Sequence, residues 1–362
     1  MTVAERSAIV RGTRSAERIR VLIVDDSLVI RHLVREALSR EDAIEVVGMQ
    51  ADGVAALECI AELRPDVVIL DVEMPKMNGL ETLVQLRRKH PHLRTIMFST
   101  ITTRGASTTL QALSLGADDY VAKASNCGSL DKSLASLRAE LIPRIKQFFS
   151  VPTAPSRAVS LAPKTRPPAR SNALKPEVVV IGVSTGGPTA LARVIPKLPP
   201  YFPLPVVIVQ HMPPMFTRLL AEQLDSQSGL RVAEAEEGSE LLPGLVLVAP
   251  GNRHLTFRRS SSGVFAQLDQ NPHVNSCRPS VDVLYQSAAE VFGARTLAVT
   301  LTGMGSDGLK GARALKQIGA ACWAQDQASS VVWGMPGAVA NAGLADLVLP
   351  LERISEEIVR YS

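Results

Sequence analysis

Short runs of apolar, largely β-branched residues recur along this chain, each followed by a longer amphipathic stretch before the next begins. In the first part the runs are Val21-Leu22-Ile23-Val24, Val46-Val47-Gly48-Met49, Val67-Val68-Ile69-Leu70, Thr95-Ile96-Met97-Phe98 and Asp119-Tyr120-Val121-Ala122. Between the first two, Ile30, Leu33, Val34, Ala37 and Leu38 fall at i, i+3, i+4, i+7 and i+8, one face of a helix. Strands apolar on both faces and joined by helices belong to parallel sheets covered on both sides. Residues 19–149 are therefore expected to form a doubly wound α/β domain of five βα units. From Glu177 the alternation resumes with Val178-Val179-Val180-Ile181-Gly182-Val183, Val206-Val207-Ile208-Val209 and Leu297-Ala298-Val299-Thr300-Leu301-Thr302. Residues 177–362 are expected to form a second doubly wound, mostly parallel α/β domain.

The length agrees, since 362 residues exceed one ordinary core and suit two domains of roughly 130 to 190 residues. Residues 1–18 read as a polar N-terminal extension. Residues 150–176 carry Pro152, Pro155, Pro163, Pro167, Pro168 and Pro176 among Ala, Ser and Arg with no apolar period, a composition that cannot bury enough surface to fold and reads as a tether. A coil of about 27 residues spans roughly 30 Å at about 5 to 6 Å × √n, so two domains joined by it can dock or separate. The net charge of +4 is of the size of this segment's own excess, from Arg157, Lys164, Arg166, Arg170 and Lys175. The globular parts are thus near neutral, which argues against a nucleic-acid-binding surface. Cys59, Cys127, Cys277 and Cys322 show no C-x-x-C spacing and read as buried or incidental thiols in a reducing compartment. No apolar segment follows the N-terminal arginines, and no stretch approaches the roughly 18 apolar residues that span a bilayer. A cytoplasmic monomer with no membrane insertion is expected.

Polar residues close the runs of the first half. Asp25 and Asp26 follow the first, Asp71 the third, Ser99 the fourth and Lys123 the fifth. Three carboxylates at one rim repel one another unless a hard cation sits among them, and Mg²⁺ prefers such an oxygen-rich site. A lysine and a hydroxyl suit an incoming phosphoryl group. The alternatives are local: Asp26 as the N-cap of a helix beginning at Ser27, and Asp71 as a loop carboxylate. With Asp71-Val72-Glu73-Met74-Pro75-Lys76-Met77-Asn78-Gly79, these positions resemble the receiver domain of two-component response regulators over residues 19 to about 141. The resemblance implies a flavodoxin-like (βα)5 receiver in which Asp71 accepts phosphate from a histidine kinase. It further implies that Asp25, Asp26, Asp71 and the backbone carbonyl of Glu73 hold Mg²⁺, that Ser99 and Lys123 contact the phosphoryl oxygens, and that Tyr120 is an aromatic switch. Receivers generally have proline after the lysine, where this chain has Ala124.

In the second half, Ser184, His211 and Asp307 each close an apolar run in a Gly- or Pro-rich turn. Ligands in open parallel sheets bind beyond the carboxyl ends of the strands, and a hydroxyl, an imidazole and a carboxylate delivered there are the inventory of a nucleophilic hydrolase. Gly182-Val183-Ser184-Thr185-Gly186-Gly187-Pro188 is a strand-to-helix turn with Pro188 suited to the first helical position. It satisfies G-x-S-x-G, although the order Ser, His, Asp differs from that of α/β-hydrolases. A dinucleotide site would want an acid ending the second strand, where Gln210-His211 stands. His254 and His273 read as ordinary loop histidines, and Asp307 could cap a helix starting near Leu309. Together with Gln210-His211-Met212-Pro213, Thr302-Gly303-Met304-Gly305-Ser306-Asp307-Gly308, Arg278-Pro279-Ser280-Val281-Asp282-Val283 and Val331-Val332-Trp333-Gly334-Met335-Pro336, the turn resembles chemotaxis-type protein-glutamate methylesterases. That resemblance implies Ser184 as nucleophile, His211 as base, Asp307 as orienting acid and the backbone N–H groups of Thr185 and Met304 as oxyanion donors. It implies methyl-accepting chemoreceptors as substrate, deamidation of receptor glutamine in some members, and no cofactor in this half. The reading from another class is a response regulator whose second domain binds a ligand or protein without catalysis.

Overall fold

The structure, a computed structural model, describes residues 18–100, 102–123, 130–149 and 174–362. Nearly all of the N-terminal extension and of the proline-rich connection, together with Ala124 and Cys127, lies outside them. The chain divides into two compact units.

The first sheet is built from β1 (Ile19–Val24), β2 (Ile44–Gln50), β3 (Val67–Asp71), β4 (Arg94–Ser99) and β5 (Asp119–Ala122) in the order β2-β1-β3-β4-β5. Its helices are α1 (Leu28–Leu38), α2 (Gly53–Leu63), α3 (Gly79–Lys89), α4 (Thr103–Ser114) and α5 (Leu130–Lys146). Val34, Ala37 and Leu38 bury the α1 face read from the sequence, while Ile30 and Leu33 are half-buried. Asp26 does not cap this helix. Ser27 is the N-cap, its Oγ accepting from the Ile30 N–H at 3.4 Å, which leaves Asp26 exposed. In α3 a reciprocal capping box joins Asn78 and Glu81, satisfying two orphan donors where the chain returns from Asp71.

The second sheet runs β14-β13-β12-β6-β7-β9-β8, with β6 (Val178–Val183), β7 (Val206–Gln210), β8 (Arg231–Glu234), β9 (Leu245–Val248), β12 (Thr296–Thr300), β13 (Ala321–Gln325) and β14 (Leu347–Leu349) paired in parallel. All residues of β6, β7 and β12 are buried, as an apolar strand covered on both faces requires. The helices are α6 (Gly187–Val194), α7 (Pro214–Gln227), α8 (Val281–Phe292), α9 (Leu309–Gln317), α10 (Met335–Asn341) and α11 (Leu351–Tyr361). Between β9 and α8 the chain forms an antiparallel hairpin, β10 (His254–Ser260) and β11 (Gly263–Asp269). It is fastened to α8 where Ser287 Oγ accepts the Phe257 N–H at 2.7 Å. Among the described residues no helix is long and apolar enough to cross a membrane.

Both sheets reverse winding beside their first strand, between β1 and β3 and between β6 and β12. Such a switch point opens a crevice at the carboxyl ends; Asp25, Asp26, Asp71 and Ser184 stand at the ends of β1, β3 and β6, Ser99, Lys123 and His211 at the ends of the neighbouring β4, β5 and β7, and Asp307 lies in the loop after β12.

Candidate active site

In the first sheet Asp25 and Asp71 are 1% and 3% exposed, and a ligand oxygen from each, with one from Asp26, lies within 4.8 Å of the others. Asp25 Oδ1 accepts from the Ser27 N–H at 2.9 Å and Asp71 Oδ1 from the Val72 N–H at 2.7 Å, which fixes both carboxylates. An all-oxygen set of this density fits a hard divalent cation such as Mg²⁺. Glu73 is exposed, two residues past β3. Ser99 ends β4 and Lys123 directly follows β5, the Lys123 N–H donating to Ser99 O at 2.7 Å. Tyr120 lies half-buried on β5.

In the second sheet the ladder pairs Val183 with Gln210, so Ser184 and His211 leave adjacent strands side by side. The His211 N–H donates to Val183 O at 3.3 Å, and the Ser184 N–H to Thr302 O, beyond β12, at 3.0 Å. Gln210 stiffens the turn, its Nε2 donating to Ser184 O at 3.0 Å and to His211 O at 3.4 Å. Gly186 takes φ +76° and α6 starts at Gly187, which puts Pro188 at the second helical position rather than the first. Gly303 lies so close that a Cβ there would sit 2.8 Å from Ser184 Cβ. Met304 is exposed, and among the described residues its N–H has no backbone acceptor. Thr185 is buried, its carbonyl held by Thr302 Oγ1 at 2.9 Å. Among the described residues Ser184 Oγ makes no hydrogen bond.

His211 Nε2 meets Asp307 Oδ2 at 2.8 Å. Asp307 does not cap α9, whose N-cap is Gly308. Its carboxylate instead receives the first N–H groups of α8, Val281 N at 2.7 Å and Asp282 N at 3.2 Å, with Ser280 Oγ at 2.8 Å and Asn275 Nδ2 at 2.7 Å. Burial raises the Asp307 pKa, but the hydrogen bond and charge of His211, then Val281 N–H and Asn275, outweigh it and bring the value to about 2. The α8 dipole acts in the same direction. For His211, burial pushes the imidazolium pKa down, while hydrogen bonds to Asp307 and Cys277 push it up more strongly, to about 9. The ordinary value near 6.5, expected from the sequence to suit base catalysis at neutrality, is thus displaced upward.

His254 is not a loop histidine. It lies buried on β10, accepts the Ser280 N–H at Nδ1 and meets Pro272 O at 3.1 Å through Nε2, so it supports the segment that holds Asp307. His273 is an exposed loop residue. Gln210, Asn275, Ser280 and Asp282 had no role in the sequence reading. Their work is hydrogen bonding across the fold; Gln210 stands in Gln210-His211-Met212-Pro213 and Ser280 and Asp282 in Arg278-Pro279-Ser280-Val281-Asp282, while Asn275 lies in none of the family-like strings.

A (βα)5 sheet with an acidic triplet at its switch point, on the same chain as a parallel sheet bearing serine, histidine and aspartate at another, defines a response regulator with a hydrolase-type output domain. Comparison with known sequences agrees: the response regulator receiver domain family matches residues 21–135, and the CheB methylesterase family residues 179–358. A protein-glutamate methylesterase/protein-glutamine glutaminase of Trichodesmium erythraeum is 48% identical over 95% of this chain and 99% of its own length. A Thermotoga maritima protein of the same name is 43% identical over 94% of this chain and 98% of its own. The crystal structure of the Thermotoga maritima CheB methylesterase catalytic domain covers 52% of this chain and all of its own, with 48% identity and a TM-score of 0.51. The chain belongs to the protein-glutamate methylesterase/protein-glutamine glutaminase family.

Proposed function

We propose that this chain is a phosphorylation-activated protein-glutamate methylesterase acting on chemoreceptors, and that Ser184, His211 and Asp307 carry the reaction. The observation that most supports it is the His211 Nε2–Asp307 Oδ2 contact of 2.8 Å, with Ser184 just past the end of the neighbouring strand β6. With Nε2–H donated to Asp307, the lone pair of His211 is at Nδ1. Nδ1 takes the Ser184 proton as Oγ attacks the carbonyl carbon of a glutamyl γ-methyl ester, and the N–H groups of Thr185 and Met304 receive the oxyanion. The proton returned by His211 leaves with methanol, and water, deprotonated by the same nitrogen, releases glutamate. With a γ-carboxamide in place of the ester, the same steps release ammonia, the glutaminase activity that the relatives' names carry.

In the receiver, Asp25, Asp26, Asp71 and the Glu73 carbonyl would hold Mg²⁺, which supplies charge neutralisation for phosphate arriving at Asp71. Ser99 and Lys123 receive the phosphoryl oxygens, Tyr120 reports the change, and a histidine kinase is the phosphodonor. The cytoplasm suits both partners. A fluorophosphonate probe tests the catalytic assignment: it should label Ser184, and Ser184→Ala should reduce methanol release from methylated receptor membranes by about 10⁴ or more. An unlabelled Ser184, with wild-type methanol release in the alanine variant, would leave the second domain as a non-catalytic binding module.

A further inference from the structure

Cys277, read from the sequence as an incidental thiol, sits with its Sγ 3.6 Å from His211 Nδ1, within hydrogen-bond reach for sulfur. A tight turn places it. Val274 and Cys277 exchange both backbone hydrogen bonds, at 3.1 and 2.9 Å, across Asn275 and Ser276, whose φ values of 53° and 63° are the left-handed ones a mirror-image hairpin turn demands. Asn275 Nδ2 ties this turn to Asp307 Oδ1 at 2.7 Å and to Asp282 Oδ2 at 2.8 Å. Arg278 fastens the other side to Asn252 Oδ1 and to the carbonyls of Gln270 and Asn271. The thiol, the imidazole and the carboxylate therefore form a second file, Cys277–His211–Asp307, on the same histidine that the esterase reading requires.

Thiol reactivity follows thiolate character and access. Cys277 is half-buried and so reachable by a small oxidant. It faces Nδ1 of an imidazole that the Asp307 carboxylate on Nε2 makes a readier proton acceptor. Neither of the other described cysteines combines the two advantages, though Cys59 is half-buried like Cys277. Cys322 is buried, with its pKa pushed up by burial to about 12, and burial also raises that of Cys59, whose Sγ donates to Ala56 O.

We propose that Cys277 is a peroxide-sensitive modification site, whose oxidation to the sulfenic acid blocks His211 and switches the esterase off until a thiol reductant restores it. The thiol proton passes to His211 Nδ1. The thiolate sulfur attacks one oxygen of hydrogen peroxide, the S–O bond forms as the O–O bond breaks, and the departing hydroxide takes the proton from the imidazolium as water. Sulfur loses two electrons and peroxide gains them. The added oxygen fills the gap toward Nδ1 and donates its O–H there, occupying the lone pair that would accept the Ser184 proton. Two equivalents of a small thiol return Cys277 to the thiol, giving their disulfide and water.

The effect on turnover rests on the triad reading above; the oxidation itself rests only on the Cys277–His211 contact. The intact chain is treated with hydrogen peroxide, trapped with dimedone and mapped by mass spectrometry, with methanol release measured on the same samples before and after dithiothreitol. Cys277 should be trapped at least roughly tenfold faster than Cys59 or Cys322, with a parallel loss of turnover that dithiothreitol reverses. Cys277→Ser, whatever its basal turnover, should hold that turnover through peroxide treatment and so lose the sensitivity. Trapping spread evenly over the cysteines, or inactivation of Cys277→Ser at the wild-type rate, overturns the proposal. Should Cys277→Ser not fold, His211→Gln decides by mass alone: slower trapping of Cys277 supports the imidazole's part, and an unchanged rate removes it. A failure of the triad reading shows separately, as an unlabelled Ser184 in the fluorophosphonate experiment.

Discussion

An imidazole with a carboxylate on one nitrogen and a thiol on the other binds its proton more tightly than one facing water, and the consequences at His211 are measurable. With His211 as the proposed base, the value of about 9 predicts that methanol release should climb with pH through about 9 rather than 6.5 in kcat/KM. Asp307→Asn keeps the shape but not the charge. Burial then acts on His211 with less opposition, so the inflection should move to lower pH while the plateau rate drops by up to roughly 10⁴, as for the equivalent change in serine proteases. The sign for stability follows from linkage. A raised His211 pKa contributes stability fully below its unfolded value of about 6.5 and loses it as pH rises through about 9. A depressed Asp307 pKa contributes above 3.8 and loses it as pH falls through about 2. Denaturation midpoints of the wild type should therefore decline between pH 6.5 and 9 more steeply than those of Asp307→Asn.

At the scale of elements, the loop after β12 and the helix α8 are the two supports of the site, and they respond differently to substitution. Gly303→Ala would force a Cβ to 2.5 Å from Met335 Sδ and 2.8 Å from Ser184 Cβ. Overpacking of this kind typically costs about 1 to 3 kcal/mol, and because Ser184 is one of the two crowded neighbours, with Met335, turnover should fall at least roughly tenfold. Helix α8 is pinned to β12 by Tyr285, whose buried hydroxyl donates to Val299 O at 2.9 Å. Tyr285→Phe removes that bond at a cost of about 0.5 to 1.5 kcal/mol but leaves the α8 N-terminus on Asp307. A lower urea midpoint with turnover within about threefold of wild type is expected, and a collapse of turnover would mean that the helix shifts.

For the whole molecule, the sequence joins the receiver and the catalytic unit by a stretch whose composition reads as a tether. A reach of roughly 30 Å corresponds to an effective concentration near the millimolar range, enough for even a weak docking surface to shield the crevice. Residues 173–362 expressed alone should accordingly release methanol faster than the full chain without phosphodonor. Asp71→Asn in the full chain should abolish stimulation by a phosphodonor and keep the basal rate. A fragment slower than the unphosphorylated full chain would instead mean that the receiver assists the site.

The sequence by itself determined the five strands of the first sheet and β6, β7 and β12 at the centre of the second, though not β8, β9, β13 or β14, because an apolar run buried on two faces and a helical period are local patterns, and the end of such a run marks the rim where ligands bind. It also determined the chemical inventory at Ser184, His211, Asp307 and the acidic triplet. Tertiary structure alone decided what those residues face. No spacing could show that Asp307 sits on the N-terminus of α8 instead of capping α9, since the two helices are equally near in chemistry and only packing selects one. The hairpin β10–β11 was illegible because its strands, with Arg258, Arg259 and Gln267 among apolar residues, lack the continuous run of the parallel strands. The pairing of His254 with Ser280 and of Cys277 with His211 joins residues 26 and 66 positions apart. Contacts of that range carry no periodic trace in a single sequence; the first supports the segment that holds Asp307, and the second decides what Nδ1 of His211 faces.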